Sequence, residues 1–65
     1  MNGNRTTAQA LNESHHWDRL GAVRRLDFDG LLDLRAEALL GGFTRTEQAC
    51  RFELADRGLR LEGGA

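Results

Sequence analysis

The chain has no proline, no lysine and a single cysteine among its 65 residues. The lone Cys50 excludes an internal disulfide, and nothing marks the chain as secreted. Metal binding lacks its usual spacing, because His15 and His16 are adjacent while Cys50 is remote. No apolar run approaches the length of a membrane span. The first fifteen residues hold one arginine and no apolar stretch that could serve as a signal core. These absences imply a cytoplasmic chain. A catalytic constellation is missing too: the ten carboxylates are scattered, and no glycine-rich phosphate loop is present. A fold this small also has little room for a water-excluding pocket. The expectation is a protein that is not an enzyme and needs no cofactor or metal.

All nine basic residues are arginine. A GC-rich genome explains this most plainly; bidentate contact with phosphate or carboxylate is the functional explanation. Net charge is −1, so any basic surface must be local.

A chain of this length is one domain at most, burying only about 60 % of the surface its unfolded form exposes. Disulfides, metal or a partner chain usually make up the deficit. With the first two disfavoured, self-association is expected, and a homodimer is its simplest form. Residues 1–13 are Asn-, Thr- and Gln-rich and read as a flexible arm. Residues 14–61 hold the domain, and 62–65 read as a disordered tail.

Leu31 to Leu40 contains five Leu and two Ala among ten residues, interrupted only by Asp33, Arg35 and Glu37. That composition favours helix. It leaves most of the circumference apolar, as in a helix enclosed by others. Asp29 can cap its start, and Gly41-Gly42 supplies a left-handed stop. Thr44-Arg45-Thr46-Glu47 then fits a capping box opening a second helix to about Arg57. Gly58 stands where that helix would end, with Leu59 touching Leu54. Cys50 lies on an apolar stripe and reads as a small buried hydrophobe. Trp17, Leu20 and Val23 suit a short helix capped by Ser14, with exposed histidines at 15 and 16. Arg24 to Phe28 alternates instead: Arg24, Leu26 and Phe28 on one side, Arg25 and Asp27 on the other. That is the pattern of a half-buried strand.

The run Val23-Arg24-Arg25-Leu26-Asp27-Phe28-Asp29, the Leu-rich helix, and Gly41 to Glu47 opening a further helix resemble a ribbon–helix–helix protein. The similarity is to the CopG/Arc class and especially the VapB-type antitoxins. It covers roughly residues 22 to 58, and Leu39 to Glu47 is its most specific part. It implies a mainly α fold, one short strand and two helices, built as an intertwined dimer. The paired strands would read bases in the DNA major groove through Val23, Arg25 and Asp27. Thr44, Arg45 and Thr46 would hold a phosphate. Leu26, Phe28, Leu31, Leu34, Leu39, Phe43, Phe52 and Leu54 would form the dimer core. The function implied is a transcriptional regulator. Gln48 and Glu53 depart from the family, standing where it carries apolar residues. Only seven residues follow Gly58, which favours a free-standing repressor over an antitoxin.

Two other readings use the same residues. A three-helix bundle acting as a protein-interaction module, an antitoxin-like inhibitor or adaptor without DNA binding, fits the near-neutral charge and surplus apolar faces. A helix–turn–helix fits Ala38 and Gly42, but places Gln48 and Arg51 where that motif buries apolar residues. The conformation of residues 23 to 28 separates them: a strand there belongs to the DNA reader, a helix to the interaction module.

Overall fold

The computed structural model describes residues 6–63, with side chains to residue 58. It is mainly helical: α1 (Thr7–Asn12), α2 (His16–Arg24), α3 (Phe28–Gly41) and α4 (Thr44–Gly63). Among the described residues there is no strand.

The expected ribbon is where the structure departs most from the sequence pattern. Val23 and Arg24 finish α2, and Val23 is buried. The amides of Arg25 and Leu26 bond back to the carbonyls of Ala22 and Val23 at 3.3 and 3.2 Å. Asp27 is extended, with φ −74° and ψ 176°, and its carboxylate accepts the Gly30 amide at 2.7 Å. Asp27, not Asp29, is therefore the cap of α3. A strand inside one chain would leave its backbone groups without partners, whereas a turn and a cap satisfy them locally. The alternation of five residues records Leu26 turning inward toward the core between two exposed neighbours.

Helix α3 stops as the glycine pair indicates. Gly42 adopts φ 74°, ψ 24°, and the amides of Phe43 and Gly42 return to the carbonyls of Ala38 and Leu39. That is a Schellman ending, which needs a residue free to turn left-handed. Gly41 is required for a different reason: a Cβ there would collide with the Phe43 ring. Gly58 does not end α4, which continues to Gly63. Glycine permits a stop without compelling one, at a helical cost of about 1 kcal/mol relative to alanine.

The core draws on all four helices: Ala8, Val23, Leu31, Leu34, Ala38, Ala49 and Cys50 are buried. Leu11, Leu20, Leu26, Phe43 and Leu54 pack against it. Three of the seven buried residues are alanines, so little apolar area is gained and polar joints must help. The helices in fact cap one another. Glu37 of α3 accepts the Ala8 amide at 2.9 Å. Asn12, the last residue of α1, accepts the amides of Arg45 and Thr46 at 2.9 and 3.3 Å. The buried Thr46 hydroxyl donates to the Ala8 carbonyl at 2.7 Å. Arg19 donates to the carbonyls of Leu11 and Ser14, and Arg57 to those of Arg24 and Leu26. Helix termini expose amides and carbonyls that must find partners, and here a neighbouring helix provides many of them.

Residues 7–12, expected to belong to a flexible arm, thus form a packed helix. Thr6 caps it by accepting the Gln9 amide. Residues 1–5 and 64–65, the rest of the expected arm and tail, lie outside the described residues.

Candidate interaction surface

The residues expected to read DNA bases do not share a face. Val23 is buried in the core, Arg25 is exposed at the end of α2, and Asp27 caps α3. The expected phosphate anchor is also divided. Thr44 and Arg45 are exposed, but Thr46 is fully buried and its hydroxyl is engaged with Ala8. The Arg45 and Thr46 amides, which would have met a phosphate, are held by Asn12. Glu47 does not reach back to close a capping box. It accepts from Arg51 at 2.7 Å and Arg35 at 3.3 Å, pinning α3 to α4.

Arg51 foremost, with Arg35 adding to it, holds the Glu47 carboxyl below its ordinary value of 4.5, against an opposing effect of burial. A lowered carboxylate value means the folded state binds this proton less readily than the unfolded one. The resulting stabilisation is complete above pH 4.5 and is lost as pH falls through the lowered value. Thermal melts from neutral pH into acid should therefore lose stability less steeply in Glu47→Gln than in the wild type. Equal slopes would remove Glu47 from the acid response. Beside it, burial, with Glu47 nearby, pushes the Cys50 thiol up, so the native thiol is kept protonated and unreactive.

The expected dimer core separates into two groups. Leu31 and Leu34 are buried within the single chain, and Leu26, Phe43 and Leu54 pack against that core. Phe28, Leu39 and Phe52 remain 58 %, 57 % and 65 % exposed. Leu32 at 41 % and Leu40 at 91 % join them. On α3 these residues make a pattern. Phe28, Leu32, Ala36 and Leu40 follow one another at i, i+4, all exposed, so they form a continuous row along the helix. Leu39 lies beside the row, three residues from Ala36 and seven from Leu32. Asp29 and Asp33 border it on one side and Arg35 on the other. From the exposures of its residues the patch amounts to roughly a few hundred Å², the size of the largest apolar patch on a typical monomer, which is often a functional one.

Helix α4 presents Phe52 separately, on its α2 side. There Phe52, Leu20 and Ala49 line two adjoining clefts of about 50 and 150 Å³. A third cleft of about 210 Å³ lies between Thr7, Leu26, Gly30, Asp33, Leu34 and Glu37. All are below the roughly 300 Å³ at which pockets begin to enclose a small organic ligand. Trp17 is 73 % exposed, with the His16 ring edge-on at 5.1 Å. Among the described residues no group of three or more His, Cys, Asp or Glu could hold a metal. Nor is any described helix long and apolar enough to cross a membrane.

The apolar surplus of the Leu-rich helix was visible in the sequence, but of the residues carrying it only Phe28 and Leu39 were expected at an interface. Leu32, Ala36 and Leu40 were absent from the expected core, although their i, i+4 spacing from Phe28 was there to be seen. No protein-family model, curated protein or solved structure matches the chain.

Proposed function

We propose that the chain is a small helical protein-interaction module that docks its partner on the outer face of α3. The observation carrying this reading is the exposed row Phe28, Leu32, Ala36, Leu40 with Leu39 beside it, on a helix whose inner face already fills the core. Burying this patch on a partner releases water from it, a gain of roughly 25 cal/mol per Å² of apolar surface.

A photo-reactive phenylalanine analogue at position 40, in the cells that make the chain, should give a defined adduct. The same probe at the exposed Gln48 of α4 should give little. Equal labelling at both positions would overturn the reading. A second reading, the DNA-binding regulator, is supported by Arg24, Arg25 and Arg45, which are all exposed. Its signature would be retention on duplex DNA that falls steeply with salt and is lost in Arg25→Ala.

A further inference from the structure

We infer that the occupant of the α3 row is a second copy of this chain, packed through the same row about a two-fold axis. The inference rests on the reading of that face as a docking surface and names its partner. Three observations favour a copy. The first is area. Each chain offers an apolar patch of a few hundred Å², and two such patches with their rims approach the roughly 1,200 Å² at which specific interfaces begin.

The second is shape. Phe28, Leu32, Ala36 and Leu40 form an i, i+4 row, the kind of ridge that interdigitates with its equivalent in the commonest class of helix packing. Its small residue, Ala36, sits between large ones, which gives a copy's leucine a place to seat. A two-fold contact requires such a self-complementary surface.

The third is charge. Asp29 and Asp33 lie on one flank and Arg35, partly exposed while paired with Glu47, on the other, so the rim has both signs. A partner of one strong charge would gain on one flank and lose on the other. A copy with its helix running in the same direction sets each flank against the unlike one.

Sedimentation equilibrium of the full chain, from micromolar to millimolar, tests this directly. The wild type should show a reversible monomer–dimer equilibrium. Leu39→Glu and Leu40→Glu should each weaken it roughly a hundredfold, because the dimer would then bury an unpaired carboxylate. Far-UV circular dichroism should stay unchanged, since both residues point away from the core. Should Leu39→Glu disturb the fold, Leu40→Glu at its 91 % exposed position reads association alone. Phe52→Glu, at an aromatic 65 % exposed on the α2 side, should leave association within about twofold of wild type.

A wild type monomeric at millimolar concentration overturns the proposal. So does dissociation caused by Phe52→Glu and not by the α3 variants. A monomeric wild type whose probe at position 40 captures a different protein overturns the second copy alone and leaves the docking surface standing. Loss of both self-association and the position-40 adduct overturns the two together.

Discussion

Leu31→Ala is expected to leave most of the chain unfolded at room temperature. Leu31 is the largest fully buried side chain, at 0 % exposure, and Leu34 is the only other leucine among the seven buried hydrophobic residues. Truncating a buried leucine costs about 2–5 kcal/mol, more where the surroundings cannot collapse into the space. A core in a chain of this length rarely supplies more than about 3–5 kcal/mol in total. Cost and reserve are thus of the same size. Chemical denaturation followed by circular dichroism should show a baseline already in transition without denaturant. Leu40→Ala, measured dilute enough to be monomeric, should shift stability by less than about 0.5 kcal/mol, because that side chain is 91 % exposed. A folded Leu31→Ala would mean that a partner chain, not this core, holds the helices in place.

Contrasting the two leucines shows how far composition alone can be read. The Leu31–Leu40 segment announced a helix with apolar residues on too many sides, and α3 has them. The glycine pair announced its stop, and Gly42 makes the left-handed turn. Both signals are local: helix propensity and a positive φ depend on a few consecutive residues. Which leucines face inward is decided by where α1 and α4 lie, and periodicity cannot give that when nearly every position is apolar. The same limit hid α1. Two of the polar residues there work as caps, Thr6 on α1 itself and Asn12 on α4, thirty-three residues ahead in the chain. Polar composition near a terminus reads as a loose arm unless its distant partners are known. At residues 23 to 28 the error ran the other way, since a turn flanked by two helices can alternate as a strand does. The candidate surface was legible as a surplus and illegible as a place.

Thr46→Val should destabilise the fold by about 0.5–1.5 kcal/mol, although the two side chains have nearly the same shape. Thr46 is fully buried, and its hydroxyl donates to the Ala8 carbonyl, which is itself in a buried residue. Valine keeps the volume and the β-branch but removes the cross-helix donor, leaving that carbonyl only the bond it accepts within α1. In a domain this small each kcal/mol moves the melting temperature by about 4–8 °C. Thr46→Ser restores the donor and should recover part of the loss, which simple overpacking or a cavity would not explain. The effect should be concentrated in α1: amide exchange over residues 7–12 should accelerate, because Thr46 and Asn12 are what tie that helix to the start of α4. The outcome also bears on the phosphate anchor implied by the ribbon–helix–helix resemblance. An anchor threonine would face solvent, and its replacement by valine would cut anion binding while leaving the melt unchanged. An unchanged melt would therefore free the start of α4 for a ligand. A lowered melt, rescued by serine, assigns Thr46 to the joint between α1 and α4.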